Sequence, residues 1–205
     1  MNILFIDSNH PVLQEMLEKA GHTCDLQYKW TKEEIAAHIH LYDGIVIRSR
    51  IKITKEIIDK ATKLKFIARA GAGMENIDTL YAEKKGILCL HAPEGNRDAV
   101  AEHALGMLLS LFNNLCRANK EVRTSKWIRE GNRGVELMGK TVGIIGYGNM
   151  GNAFAQRLTG FGVNILAYDK YKNGFGNELI KETSLTELFA KADVISLHTP
   201  LTEET

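Results

Sequence analysis

The sequence predicts an α/β protein made of parallel sheets in two successive units. Three observations carry that prediction. Short apolar runs of four or five residues alternate with helical patterns from the first residue onward. A long apolar helical stretch after "APEGN" interrupts the rhythm, and a second alternating series starts at Thr141. Parallel strands need crossover connections of a dozen or more residues, and helices are the usual means of supplying them.

The elements follow in order. "ILFI" (residues 3–6) is a strand that ends at Asp7, and Pro11 opens a helix that stops before Gly21. Thr31 and Glu34 have capping-box spacing, so "TKEEIAAHI" reads as a second helix. "GIVI" (44–47) is a buried strand followed by the helix "TKEIIDKAT". "FIARA" (66–70) and "ILCLH" (87–91) are two more strands, with a helix ending near Gly86 between them. "EGNRDAVAEHALGMLLSLFNNLCRANKEV" reads as one long helix. It is apolar on most sides over residues 99–115 and is therefore expected to be buried between layers. The second series has strands at 142–145, 163–168 and 194–197, a helix from Asn149, and a helix capped by Ser184 with Glu187.

Composition narrows the function classes. The 205 residues are 44% hydrophobic and 25% charged, with a formal net charge of +1. That balance gives no electrostatic case for nucleic acid or an anionic membrane surface. No apolar run approaches the roughly 18 residues of a membrane span. "MNILFIDSNHP" reads as strand and turn rather than a secretory leader. Cys24, Cys89 and Cys116 are odd in number and widely spaced, so buried free thiols in a reducing cytoplasm are expected. No H-E-x-x-H spacing suggests a metal and no G-x-S-x-G suggests a hydrolase.

"GVELMGKTVGIIGYGNMG" (134–151) spells two phosphate motifs in succession. Gly134, Gly139, Lys140 and Thr141 fit the P-loop pattern, whereas Gly146, Gly148 and Gly151 fit G-x-G-x-x-G. A P-loop needs a strand before it and a helix beginning at Lys140. Here "WIREGNRG" precedes, and "VGII" with three glycines in six residues follows. Each glycine costs a helix about 1 kcal/mol relative to alanine, so residues 139–141 read as a turn entering a strand. The dinucleotide motif has strand before and helix after. Gly146 permits the tight turn, Gly148 lets backbone approach a pyrophosphate, and Gly151 permits close helix–strand packing. Asp169 ends the next strand about 20 residues on, where an acid accepts from the ribose 2′-hydroxyl. This favours NAD over NADP, a preference that Lys170 and Lys172 soften.

These motifs carry a family resemblance. "ELMGKTVGIIGYGNMG", "AYDKY" and "ADVISLHTPLT" resemble NAD-dependent D-2-hydroxyacid dehydrogenases, their D-3-phosphoglycerate dehydrogenase branch in particular. "IVIRSRIKIT", "KLKFIARAGAGMENID" and "APEGNRDAVAEHALGM" extend the resemblance to nearly the whole chain. It implies a flavodoxin-like substrate domain (1–96), then the first half of a Rossmann NAD-binding domain (97–205) that is incomplete at its C-terminus. It implies Ala72 near the nicotinamide, Asn149 and Met150 on the pyrophosphate, and Thr199 and Pro200 on the adenosine side. It also implies a small anionic 2-hydroxyacid substrate and a cytoplasmic homodimer. Glu75 stands where family members often carry aspartate.

The first unit has residues suited to such a substrate. Ligands of open parallel sheets sit beyond the carboxyl ends of the strands. Arg48 and Ser49 follow one strand, and Arg69, Gly71 and Gly73 follow another. Arginine suits carboxylate and phosphate, and the amides of "GAG" can form an anion nest. Taken singly, Arg48, Arg50 and Arg97 fit solvated loop positions equally well, whereas Arg69 on an apolar strand has the better claim to a functional burial. His91 and His198 end strands and read as polar strand-end residues. The family's catalytic arginine, glutamate and histidine follow the segment matching "HTPLT". The resemblance therefore implies an N-terminal segment of a longer enzyme, with three strands of the dinucleotide fold, no catalytic residue of its own, and an unpaired sheet edge at 194–197. A P-loop phosphotransferase and a non-catalytic NAD-binding module are the competing classes.

Overall fold

In a computed structural model, which describes residues 1–203 and 205, the short apolar runs become parallel strands. The chain separates into two units, Met1–Gly95 and Asn96–Thr205.

The first unit comprises β1 (Asn2–Phe5), α1 (Pro11–Lys19), β2 (Thr23–Leu26), α2 (Lys32–His38), β3 (Gly44–Ile47), α3 (Lys55–Lys60), β4 (Phe66–Arg69), α4 (Thr79–Lys84) and β5 (Leu88–His91). Its sheet has the order β2-β1-β3-β4-β5, all parallel. This is the flavodoxin-like order, which reverses direction between β1 and β3. Alternation along the strands divides the core. Leu4, Ile6, Ile45, Ile47 and Ile67 pack with Ile35, Ile39 and Ile57. Ile3, Phe5 and Val46 pack with Leu13 and Leu17 of α1 on the other side. Each fully buried aliphatic side chain contributes about 1.5–3 kcal/mol. The capping box of α2 forms as its spacing predicts: Glu34 N–H donates to Thr31 Oγ1 at 3.2 Å and Thr31 N–H to Glu34 Oε2 at 2.7 Å.

The second unit comprises α5 (Arg97–Phe112), α6 (Leu115–Arg123), β6 (Thr141–Ile145), α7 (Asn149–Leu158), β7 (Asn164–Tyr168), β8 (Ile180–Glu182), α8 (Leu185–Lys191) and β9 (Val194–Leu197). Its parallel sheet has the order β8-β7-β6-β9. Counted along the chain this is 3-2-1-4, the opening of the dinucleotide-binding order, with its switch between β6 and β9.

Several expectations need correction. Four strands are present where three were expected, because β8 is a short edge strand with only Ile180 buried. β2 went unpredicted for the same reason: "TCDL" is a partly polar edge strand with no apolar run. The long helix is two helices, broken where Asn114 takes φ +52°, a left-handed conformation that asparagine tolerates better than most residues. Nor is that segment buried on all sides. Ala101 and Leu108 are buried, and α5 packs against α7, but Met107, Leu111 and Leu115 are exposed. All three cysteines are free, but none is fully buried as expected: Cys24 and Cys89 are partly exposed and Cys116 is exposed. Among the described residues no helix is long and apolar enough to cross a membrane.

Candidate functional site

The two phosphate motifs resolve at Thr141. It begins β6, and its N–H donates to Asp193 Oδ2 at 2.8 Å, so no helix starts there. Gly139 is a turn residue at φ +76°.

The second motif forms a loop at the carboxyl end of β6. Gly146 has φ +90°, and its N–H donates to the Tyr168 carbonyl at 2.8 Å. A Cβ there would stand 2.5 Å from the His198 carbonyl oxygen, and a Cβ on Gly151 would strike the Gly146 carbonyl. Gly148 differs, because a Cβ there meets no atom within 4 Å. Two glycines thus permit close packing within the protein, and the third presents backbone to open space. α7 follows without a side-chain cap, so its N-terminal amides are available to an anion.

Asp169 closes this loop from β7. Its Oδ2 accepts from Tyr147 N–H at 2.7 Å, and its Oδ1 accepts from Tyr171 and Lys172 N–H at 2.8 and 3.0 Å. A carboxylate has about four acceptor positions, so roughly one remains for a ribose hydroxyl. The sequence reading gave Asp169 only the ribose. Its bonds to the Tyr147 amide and the 171–172 amides tie two loops together as well. Tyr147 itself is buried: its ring stacks on Phe175 at 4.5 Å and its hydroxyl accepts from Asn152 at 3.0 Å. Burial pushes the Tyr147 phenol pKa up.

Beyond β9, His198 N–H donates to the Ile145 carbonyl at 2.8 Å. Its half-buried ring lies 5.3 Å from Phe154 of α7 and 2.8 Å from Ser196 Oγ. Burial lowers the imidazole pKa. Thr199 Oγ1 is buried and has no hydrogen-bond partner among the described residues. Pro200 is exposed beside it, while Asn149 and Met150 occupy the first turn of α7. The open face at Gly148, the uncapped α7, the remaining acceptor on Asp169 and the orphan Thr199 hydroxyl together fit a dinucleotide such as NAD.

The substrate residues predicted in the first unit gather at the carboxyl ends of β3 and β4. Arg48 and Ser49 are exposed just past β3. Arg48 N–H donates to Asp7 Oδ2 at 2.6 Å across the β1/β3 switch. Asp7 is 9% exposed and also lies 3.4 Å from Arg50 Nε. Sequence reasoning missed this anchor, though an acid directly after an apolar strand was a usable signal. Arg50 is spent on structure, donating to the carbonyls of Ile6 and Trp30. Among the described residues, the Arg48 guanidinium makes one long contact, 3.5 Å to the Ser8 carbonyl.

Arg69 is largely but not fully buried, at 11% side-chain exposure, and its guanidinium is committed. It donates to the carbonyls of Arg48 and Gly73 and pairs with Glu75 at 2.9 Å. Arg69 beside it holds the Glu75 carboxyl below the usual range. A Cβ on Gly73 would collide with the Glu75 carboxylate. Gly71 N–H turns back to the Arg69 carbonyl at 2.9 Å, so that amide is not part of an anion nest. The Ala72 carbonyl contacts His91 Nδ1 at 2.6 Å.

Comparison with known proteins agrees with this geometry. Residues 105–205 match the family described as D-isomer specific 2-hydroxyacid dehydrogenase, NAD binding domain. The chain is 38% identical over 210 residues to the D-3-phosphoglycerate dehydrogenase of Methanocaldococcus jannaschii, covering all of this chain and 40% of that protein. It is 41% identical over 174 residues to the hydroxypyruvate reductase of Thermotoga maritima, covering 85% of this chain and 56% of that protein. Among solved structures, the PH0520 protein of Pyrococcus horikoshii superposes with a TM-score of 0.85 at 31% identity, covering 100% of this chain and 63% of that one.

Proposed function

Because this chain belongs to the D-isomer specific 2-hydroxyacid dehydrogenase family, we propose that the whole protein is an NAD-dependent oxidoreductase of D-2-hydroxyacids, with D-3-phosphoglycerate as substrate. The observation that carries this reading is the glycine loop at the β6/β9 switch, closed by Asp169. Bound NAD supplies the hydride acceptor. Gly146 and Gly151 shape the loop, Gly148, Asn149 and Met150 meet the pyrophosphate, and Asp169 takes the ribose. Thr199 and Pro200 line the adenosine side. The exposed guanidinium of Arg48, with Ser49, binds the anionic substrate, and Arg69 holds the loop of Gly71, Ala72 and Gly73 in shape. A homodimer in the cytoplasm belongs to the same proposal. The free thiols support a reducing compartment, and exposed Met107, Leu111 and Leu115 offer apolar surface to a second copy.

The D-3-phosphoglycerate dehydrogenase relatives support the choice of substrate. The 41% identity to a hydroxypyruvate reductase favours D-glycerate as the second reading. NADH formation by the full-length protein, followed with D-3-phosphoglycerate, D-glycerate and D-lactate and their L-isomers, separates them. The expected result is the highest kcat/KM with D-3-phosphoglycerate. Turnover of the L-isomers alone overturns the family chemistry, and a preference for D-glycerate overturns only the substrate.

A further inference from the structure

The loop of Gly71, Ala72 and Gly73 turns three successive carbonyls toward the ends of β4 and β5. The Gly71 carbonyl accepts from Ala92 N–H at 2.9 Å, that of Ala72 from His91 Nδ1 at 2.6 Å, and that of Gly73 from the Arg69 guanidinium. A carbonyl only accepts, so the His91 ring carries a proton on Nδ1. His91 and Arg69 are register partners at the carboxyl ends of β5 and β4. Their side chains therefore leave the same face of the sheet and reach the loop side by side.

A trans peptide sets its N–H opposite its carbonyl. With the carbonyls of residues 71–73 turned to these donors, the N–H groups of Ala72, Gly73 and Met74 are directed away from them. Among the described residues none of the three amides has an acceptor. Successive unpaired amides of this kind suit an anion. The central peptide, between Ala72 and Gly73, is the one most easily turned over. Its flip requires a large change of φ at residue 73, which glycine makes at little cost. Arg69 and Ala92 hold the carbonyls on either side of it. Among the described residues, only His91 holds its own.

We propose that His91 is a positioning residue for the hydroxyacid: by holding the Ala72 carbonyl it keeps the Gly73 N–H turned toward the anionic group of the substrate. The inference rests on the reading of this loop as part of the hydroxyacid site of a dehydrogenase. It gives a task to a side chain that its place at a strand end marks only as polar.

Steady-state kinetics of the full-length protein compare His91→Leu with His91→Asn, using whichever of D-3-phosphoglycerate and D-glycerate the unaltered protein turns over better. Asparagine places its Nδ2 donor about where histidine has Nδ1, and leucine fills similar space with no donor. His91→Leu is expected to raise the hydroxyacid KM about three- to tenfold, the scale of one hydrogen bond. Its kcat and its KM for NAD should stay within about twofold, since the lost contact is made equally in ground and transition states. The side chain is exposed, so the melting temperature should move by no more than about 3 °C. His91→Asn is expected to return the hydroxyacid KM to within about twofold of the unaltered protein.

An unchanged hydroxyacid KM in His91→Leu overturns the proposal. So does an equal rise in both variants, which assigns the effect to the imidazole ring rather than to its Nδ1 bond. Equal rises in the KM for hydroxyacid and for NAD, or a larger fall in melting temperature, make His91 a general structural residue and overturn it too. Failure of the unaltered protein to reduce NAD with either hydroxyacid overturns the dehydrogenase reading, and this inference with it.

Discussion

Gly146 and His198 meet so closely at the junction of β6 and β9 that a Cβ on the glycine would stand 2.5 Å from the histidine carbonyl oxygen. The contact seats the glycine loop on the strand that crosses to the other side of the sheet, and it holds the loop's shape before any ligand arrives. Gly146 also sits at φ +90°, where a side chain is strained whatever the space.

Gly146→Ala should therefore damage the fold and the cofactor site together, by about 2 kcal/mol or more of stability from strain and collision. Gly148→Ala should leave the melting temperature within about 2 °C of the unaltered protein, because nothing in the structure opposes its methyl group. It should still weaken NADH binding at least about tenfold by blocking approach of the pyrophosphate. Thermal melts with and without NADH read both effects. Equal destabilisation by the two variants would refute the division between packing glycines and a ligand-facing one.

The His198 ring gives this junction a pH dependence. Burial lowers its pKa in the folded unit, while the unfolded chain takes up the proton near the ordinary value of about 6.5. The unfolded state then binds more protons as the pH falls below that value, so stability is full above it and declines toward the depressed folded value. His198→Gln should flatten this slope. Melting temperatures of both proteins at pH 7.5 and 5.5 test it, since other titrating groups cancel in the difference. A parallel decline in the two proteins would remove His198 as its source.

In the first unit, Arg69 should matter far more than the acid it pairs with. Arg69→Ala leaves the Arg48 and Gly73 carbonyls without their guanidinium donors and Glu75 without its partner. The expected loss is about 2 kcal/mol, with a raised KM for the hydroxyacid as the loop relaxes. Glu75 is 69% exposed, so Glu75→Gln should cost under about 1 kcal/mol. Urea unfolding of both variants compares the two. Matching losses would mean that the ion pair, rather than the carbonyl bonds, holds the loop.

Legibility in the sequence followed the range of the forces involved. Central strands were readable because "GIVI" and "TVGII" are buried on both faces and so are continuously apolar. Edge strands β2 and β8 were not, because "TCDL" and "IKE" contain no apolar run, whereas the edge strands β5 and β9 keep one in "ILCLH" and "VISL" and were readable. The break at Asn114 was hidden within a helical pattern that continues on both sides of it.

The sequence by itself settled the α/β class, the dinucleotide loop in preference to the P-loop, and Asp169 as the acid beside it. All three depend on steric rules and periodicities that act over a few residues. The partners of the charged side chains were settled only by folding. Asp7 meets the amide of Arg48 across 41 residues and Asp169 that of Tyr147 across 22. The Arg69 guanidinium, read as a ligand group, is instead consumed by carbonyls brought to it by β3 and its own loop. A buried cation must satisfy its donors with whatever acceptors the packed chain delivers, and local sequence does not say which those will be.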